Sequence, residues 1–168
     1  MQNLLKFLLA TALLAAVLFV AGCKKDDDDN NNTSGADILP GIGLKNVKIG
    51  DTAQKAFDAF GTVTDSYFEI NGQYFHFLLY ITKGVFVNLE PTGSATLDLN
   101  TKIHDIVVSD PYAGKTDKGI GIGSTKTAVQ AAYGQPDSVD PLNGDEYNIG
   151  IAFDYGSGTE VTTITLFK

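Results

Sequence analysis

The sequence predicts an α+β fold made of two tandem repeats, each a helix packed on an antiparallel β-meander. The first observation is an internal repeat, since the residues at 49–52 (IGDT) recur 73 residues later, at 122–125, as IGST. The second is that, after each of these four-residue segments, apolar residues recur first at the spacing of a helix and then at the spacing of a strand. Within a domain at 41–168, repeat 1 is expected at about 41–114 and repeat 2 at about 115–168.

Each copy continues into an amphipathic helix. The first helix places its apolar residues at the i, i+3, i+4 and i+7 spacing of a single buried face: Ala53, Ala56, Phe57 and Phe60. The second helix has the same kind of stripe in Val129, Ala132 and Tyr133. These patterns predict two short helices that each pack on a sheet.

Residues at the ends of both helices are typical caps. Asp51 and Ser124 are expected as N-caps, because their side-chain oxygens can accept hydrogen bonds from the free N–H groups of the first turn. Gly61 and Gly134 lie where a left-handed residue is expected to end each helix, and Pro136 prevents the second helix from resuming.

Strand signals follow each helix. Strands are expected at 67–70, 74–82, 85–89, 95–99 and 103–108 in the first copy, and at 145–148, 150–155 and 161–167 in the second. Asn71-Gly72 predicts a two-residue hairpin between the first two of these strands. Along the sequence, the final strands of the two copies are separated by about fifteen fewer residues than the two helices are. The first copy therefore carries about fifteen additional residues, placed between strands where length is tolerated.

The succession of a glycine turn, a cap, a helix, a second glycine and a hairpin resembles the repeat of the β-lactamase inhibitor protein family. More distantly, it is similar to the small lipoprotein of the outer-membrane barrel-assembly machinery. The resemblance covers nearly all of residues 41–168 and implies a sheet face that binds another protein. It rests on glycine, cap and apolar positions, so it transfers no inhibitory contact residue, and the family's typical pair of disulfides is missing from this chain with one cysteine.

The N-terminal residues 1–22 have the pattern of a signal peptide. Lys6 supplies a positive charge, residues 7–20 are uncharged and apolar, and small residues precede Cys23. The sequence Val20-Ala21-Gly22-Cys23 resembles the lipobox of bacterial lipoproteins, which implies diacylation of the Cys23 thiol and acylation of its new amine. The alternative is a membrane-spanning helix, for which the apolar run is slightly short. The lipid on Cys23 is therefore the expected membrane attachment.

Residues 23–40 are expected to form the lipidated cysteine and a disordered acidic tether, because 24–35 contain no apolar residue and a block of four aspartates. The run resembles the lysine-plus-acidic export tag of surface-exposed lipoproteins in some Gram-negative lineages, although a plain acidic spacer is an equal interpretation. Lys24 also differs from the aspartate of the inner-membrane retention signal. An outer-membrane lipoprotein is therefore expected, with its orientation towards periplasm or cell surface left open.

The composition excludes some partners. The formal net charge is −8, and all twelve basic residues are lysines. Nucleic-acid binding relies on a basic face and heavily on arginine, so neither nucleic acid nor an anionic membrane surface is an expected partner. With Cys23 consumed by lipid, no disulfide can form, and stability must come from packing in one domain-sized core.

Two histidines are the candidates for catalysis, and neither belongs to a recognisable catalytic motif. Strand alternation groups His76 with Tyr74, Leu78 and Tyr80, on the face expected to be less buried. His104 is expected to point away from its neighbour Asp105, so the two cannot form a base–orienter pair. The chain is therefore expected not to be an enzyme.

No cofactor or metal is expected either. The glycine-rich run at 119–127 lacks the lysine position of a phosphate-binding loop. The acidic segment at 140–146, like Asp110 with Asp117, lacks EF-hand spacing and offers at most incidental calcium binding.

These observations predict a non-catalytic, membrane-tethered module that binds an envelope or extracellular protein, with Tyr74, His76 and Tyr80 as the candidate partner-binding face. Tyrosines on an exposed sheet face are typical of protein interfaces, although buried, hydroxyl-bonded tyrosines are the common alternative. A structural or assembly factor of the outer membrane would instead have a polar surface. A small-ligand-binding or hydrolytic lipoprotein would need a deep pocket in which a histidine and a carboxylate converge.

Overall fold

An eight-stranded antiparallel sheet dominates the computed structural model, which describes residues 36–140 and 144–168. The strands are β1 (Ile38–Leu39), β2 (Gly43–Leu44), β3 (Asp65–Ile70), β4 (Gln73–Tyr80), β5 (Val85–Leu89), β6 (Ile103–Ser109), β7 (Ser138–Asp140), β8 (Gly144–Tyr147), β9 (Ile151–Asp154) and β10 (Thr163–Leu166). The helices are α1 (Ala53–Phe60), α2 (Lys126–Tyr133) and a 3-10 turn at Ile81–Lys83. The predicted α+β class is confirmed.

The strand order of the large sheet is β3-β4-β5-β6-β10-β9-β8-β7. Strands that are consecutive in the chain pair within β3–β6 and within β7–β10, and the two sets join where β6 pairs with β10, at Val108 opposite Ile164. We call β3–β6 the first half of the sheet and β7–β10 the second half. β1 and β2 form a separate two-stranded sheet.

The hairpin between β3 and β4 is the one predicted. Ile70 pairs with Gln73, and the two residues between them have positive φ, 53° at Asn71 and 78° at Gly72. Two successive positive φ values are typical of a type I′ turn, whose twist matches that of the flanking strands.

The helix N-caps differ from the prediction by one residue. Thr52 and Thr125 accept hydrogen bonds from the backbone N–H groups of Lys55 and Ala128. Asp51 and Ser124, predicted as the caps, close the preceding glycine turns, because Asp51 Oδ2 accepts from Lys48 N at 2.8 Å and Ser124 Oγ accepts from Gly121 N at 3.1 Å. All four side chains can cap a helix, and the tight glycine turn decides which pair does so.

The helices end at the predicted glycines. The N–H groups of Gly61 and Gly134 donate to the carbonyls of Phe57 and Gln130, and both glycines have positive φ. Their ψ values of 165° and −163° are extended, so neither residue has the predicted left-handed helical conformation.

One strand prediction is wrong, since residues 95–99 form a loop rather than a strand. Three short strands, β1, β2 and β7, were not predicted. Val139 of β7 is exposed and its neighbours are polar, so no alternation of apolar residues indicates this three-residue strand in the sequence.

The domain begins earlier than residue 41. Ile38, placed in the tether by the sequence prediction, is fully buried in the core, and the N–H groups of Asp37 and Ile38 donate to the carbonyl of Lys115. The predicted signal peptide, Cys23 and most of the tether lie outside the described residues. Within the described ranges, no helix combines the length and the apolar character that a membrane span requires.

The core lies on one face of the large sheet, where both helices pack. α1 contributes Ala53 and Ala56, α2 contributes Val129, and the strands contribute side chains that alternate onto this face, such as Leu78, Val87, Ile106, Phe153 and Ile164. Ring contacts join the helices to the sheet, with centroids 5.1 Å apart for Phe60 and Tyr80 and 5.5 Å apart for Tyr133 and Phe153. We call the opposite face of the sheet the outer face.

Candidate functional site

Six apolar side chains meet on the outer face of the first half. We call this set the aromatic patch; its members are Phe68, Phe75, Phe77, Leu79, Phe86 and Val107. Strand register brings them together, because Phe68 lies opposite Phe75, Leu79 opposite Phe86, and Phe86 opposite Val107 on adjacent strands. None of the six belongs to the core cluster on the other face.

The rings of the patch are in direct contact. Phe68 stacks on Phe75 with centroids 5.1 Å apart and an interplanar angle of 14°, and it meets Phe77 at 6.2 Å. Phe75 is only 9% exposed, whereas Phe68, Phe77, Leu79 and Phe86 keep intermediate exposure. The patch is therefore a continuous apolar surface on the side of the sheet away from the helices.

The sequence contains a signal for this patch, although the patch was not predicted. β4 reads QYFHFLLY, in which apolar residues occupy both alternating sets. One set packs under the helices, so the other must place apolar side chains on the outer face.

The outer face of the second half is polar. By register, it carries Ser138, Glu146, Ala152, Asp154, Thr163 and Thr165. None of the ten strands in the described ranges contains a lysine, so the carboxylates of Glu146 and Asp154 share this face with no strand-borne positive charge.

A histidine–carboxylate pair borders the patch, and it corrects a prediction. Asn88 pairs with Asp105, but the next residue, Leu89, pairs with Ile103, so His104 is an extra residue in a β-bulge. The bulge breaks the alternation that would have separated the two side chains. His104 Nδ1 lies 2.9 Å from Asp105 Oδ2, and Asn88 Nδ2 donates to Asp105 Oδ1 at 2.5 Å.

This environment raises the pKa of His104 above its usual value. The hydrogen bond that His104 donates to Asp105 is the main cause, partial burial opposes it, and the negative charges of Asp105 and Glu90 add to the increase. The His104 side chain remains 51% exposed. In the described residues, neither histidine is hydrogen-bonded to a serine, threonine or cysteine side chain that could act as a nucleophile.

His76 is buried, contrary to the prediction. It is 1% exposed, its Nδ1 lies 3.0 Å from Asp65 Oδ2, and its Nε2 lies 2.9 Å from the carbonyl oxygen of Ser94. The ring therefore ties β4 to the edge strand β3 and to the loop that connects β5 with β6. Its role in this position is structural.

The candidate face of Tyr74, His76 and Tyr80 is thus the core side of β4, and its prediction as a partner-binding face is wrong. Tyr80 is 3% exposed, and burial raises its pKa to about 12. Tyr74 is half-buried, with its ring centroid 5.7 Å from that of Tyr67. Alternation correctly grouped these residues, but it could not say which side of a doubly apolar strand the helices cover.

A buried polar network in the second half was not predicted. Asp145, the first residue of the strand predicted at 145–148 and part of the acidic segment 140–146, is fully buried. Its Oδ1 accepts from Lys126 Nζ at 2.8 Å and its Oδ2 accepts from the Tyr155 hydroxyl at 3.1 Å, while Lys126 Nζ lies 4.9 Å from the Tyr155 ring centroid. Burial, and then the charge of Asp145, raises the pKa of Tyr155. Both oxygens of Asp145 therefore have partners within the protein.

An open surface depression of about 540 Å³ lies beside α1, lined mainly by charged side chains: Lys45, Lys48, Asp51, Lys55 and Asp58. Both histidine–carboxylate pairs lie outside it. Within the described residues, no group of three or more histidine, cysteine, aspartate or glutamate side chains could hold a metal ion.

Comparison with known proteins adds little. No family model matches the chain, and no curated protein matches it. The chain is similar to a solved structure, the crystal structure of the uncharacterized protein yfeY from Escherichia coli, with 15% identity and a TM-score of 0.45 over 77% of this chain and 97% of that chain. At this TM-score the similarity supports no conclusion about function, which has to be inferred from the residues of this chain.

Proposed function

We propose that this protein is a membrane-anchored lipoprotein of the cell envelope that acts as a non-catalytic protein-binding module. The observation that carries the proposal is the aromatic patch. Phenylalanine and other aromatic residues are enriched in the cores of protein interfaces, where they remove a large apolar area from water. A contiguous apolar surface on a soluble domain is typical of an interaction site.

The patch also favours this function over a purely structural role in the outer membrane. A structural factor was expected to have a polar surface, and the outer face of the second half fits that description. The first half does not, since four of its outer-face side chains are phenylalanines.

We further propose that the domain consists of two copies of one helix-plus-meander unit. Equivalent backbone hydrogen bonds support this, because Gly50 N donates to Ile103 O and Gly123 N donates to Val161 O, both at 2.8 Å. Two further pairs of bonds relate the copies in the same way: Ile103 N to Asp51 O with Val161 N to Ser124 O, and Ala53 N to Thr101 O with Lys126 N to Thr159 O. The start of each helix is thus joined to the segment at the beginning of the final strand of its own half.

The anchor in this proposal is lipid on Cys23, in the outer membrane. Three acyl chains would hold the protein essentially permanently, because each buried methylene contributes about 0.8 kcal/mol. The described domain begins at residue 36, so the chain between it and Cys23 can span roughly 45 Å when fully extended. The patch would then reach partners well beyond the lipid headgroups.

The proposal is tested by crosslinking in intact cells, followed by affinity capture of the full-length protein. We expect a saturable partner that is lost in the Phe77→Ser/Phe86→Ser variant and retained in Val139→Ser, a control at an apolar residue that is 67% exposed on β7. A Cys23→Ala variant should leave the membrane fraction and capture less partner, because tethering raises the effective concentration.

Thermal unfolding of each variant shows whether it is folded at the temperature of the assay. A partner captured equally by the patch variant and by the wild type would refute the role of the patch. Capture of barrel-assembly components through another surface would instead favour the assembly function.

A further inference from the structure

We infer that the protein bound by the aromatic patch carries a basic segment beside its apolar contact residues, and that this segment lies against the outer face of the second half. This inference rests on the proposed function and specifies its partner. The outer face has two parts that differ in chemistry, an apolar part in β3–β6 and an acidic part in β7–β10. A partner that covers both parts must match both.

Charge on the acidic part is of one sign. Glu146 of β8 and Asp154 of β9 point to the outer face, and their strand neighbours on that face are uncharged residues such as Thr163, Thr165 and Ala152. One oxygen of each carboxylate has a local partner, since Glu146 Oε2 accepts from the Ser138 hydroxyl at 3.3 Å and Asp154 Oδ1 accepts from Gly156 N at 2.6 Å. These neutral donors fix the carboxylates in place without cancelling their charge.

An acidic partner surface would be repelled here, and a purely apolar one would strip water from two carboxylates without replacing it. Lysine or arginine side chains can approach the carboxylates while they remain partly hydrated, which gives attraction at a low desolvation cost. The chain's own lysines do not serve this purpose, because none of those in the described residues forms an ion pair with Glu146 or Asp154.

The strand order sets the spacing that the partner needs. Adjacent strands are about 4.8 Å apart. Phe86 on β5 and Asp154 on β9 are separated by three strand intervals, and Leu79 on β4 and Glu146 on β8 by five. The apolar and basic groups of the partner should therefore be about 14–24 Å apart, a distance covered by roughly 10–16 residues of helix.

A second copy of this chain is the main competing occupant. Two copies could meet patch to patch, but each would then leave its acidic part outside the contact. A partner with an apolar end and a basic end accounts for the whole face.

The test is a selection of random 16-residue peptides displayed on phage, using the full-length protein in nanodiscs of zwitterionic lipid. The key variant is Glu146→Lys/Asp154→Lys. Its control, Asp117→Lys/Glu160→Lys, makes the same change in net charge at exposed positions near α2. A third protein, Phe86→Ser, tests the patch.

We expect the wild type and the charge control to enrich peptides with apolar residues and an excess of lysine or arginine. The Glu146→Lys/Asp154→Lys variant should lose that excess or select acidic peptides instead. For a synthetic peptide from the selection, this variant should raise the Kd at least tenfold, with a smaller difference at high salt.

Peptides without a basic excess, or the same peptides selected by the charge-reversed variant, would overturn the inference. If such peptides still required Phe86, the proposed function would stand. If no peptide were enriched, or if enrichment did not depend on Phe86, both the inferred basic segment and the proposed function would fail. Dimerisation that requires Phe86, seen by sedimentation without enriched peptides, would identify a second copy as the occupant.

Discussion

The two halves of the sheet share one arrangement of strands but differ in chemistry on both faces. On the outer face, the first half carries the aromatic patch and the second half carries threonines and carboxylates. On the core face, the second half holds the polar set Lys126, Asp145 and Tyr155, in which Asp145 and Tyr155 are buried and the Lys126 side chain is 40% exposed. The proposed repeat relates these positions to the buried apolar set Ala53, Leu78 and Leu89 of the first half.

This contrast separates what the fold requires from what it tolerates. The second half shows that a meander of this kind is compatible with a polar outer face. The apolar outer face of the first half is therefore not a requirement of the architecture, and a binding role explains why a partly exposed position such as that of Phe86 holds a large apolar side chain.

The largest expected effect is the difference between the two faces of the sheet. Phe153→Ala should lower the free energy of unfolding by about 3–5 kcal/mol, because Phe153 is fully buried and its ring contacts Tyr133 and Tyr147. Phe86→Ala should cost only about 1–2 kcal/mol, since its side chain is only partly buried. Urea unfolding measures both, and equal costs would mean that the outer face is packed as a second core.

The buried network of the second half provides the next comparison. Lys126→Ala should lower the free energy of unfolding by about 2 kcal/mol, because it leaves the buried Asp145 carboxylate without its cation. The 40% exposure of the Lys126 side chain keeps this loss below that of a fully buried ion pair. Replacing all three residues by their first-half counterparts, as Lys126→Ala/Asp145→Leu/Tyr155→Leu, should recover stability to within about 1 kcal/mol of the wild type.

Chemical denaturation of both variants tests this prediction. A triple variant as unstable as the single one would contradict the prediction. It would show that apolar packing of the kind found in the first half cannot replace the polar network of the second half.

The smallest expected effect concerns His104. Because its pKa is raised in the folded state, mainly by the hydrogen bond with Asp105, the stability it contributes is fully present below about pH 6.5 and is lost as the pH rises through the folded pKa. The difference in unfolding free energy between the wild type and His104→Gln should therefore shrink with increasing pH.

NMR titration measures the same pKa directly, and the chain has only two histidines to assign. The His104 pKa should lie above 6.5 in the wild type and fall in Asp105→Asn. A His104 pKa at or below 6.5 in the wild type would contradict the geometry of the bulge.

The local features of the fold were predictable from sequence, because they depend on single residues. Gly61 and Gly134 have the positive φ that their positions require, and Asn71-Gly72 forms the expected turn. The choice between Asp51 and Thr52 as the N-cap was not predictable, since both side chains can cap and only the geometry of the glycine turn distinguishes them.

The candidate site was harder to predict, because it depends on non-local packing. Alternation shows that Phe75 and Phe77 lie opposite His76, but the position of the helices decides which of these sets is buried. The bulge at His104 arises from the pairing of β5 with β6, which no local pattern specifies. The burial of Asp145 likewise depends on a lysine 19 residues away in the chain.

The most direct test of the proposed binding surface is photo-crosslinking in living cells, with a photoreactive amino acid placed at single positions of the full-length protein. Ser66 and Tyr67 are adjacent on β3 but point to opposite faces, with Ser66 beside the aromatic patch and Tyr67 on the core side, 49% exposed. We expect a partner crosslink from position 66 that disappears in the Phe77→Ser/Phe86→Ser background, and none from position 67. A crosslink to the same partner from position 67 and not from position 66 would contradict the claim that the outer face of the first half is the binding surface.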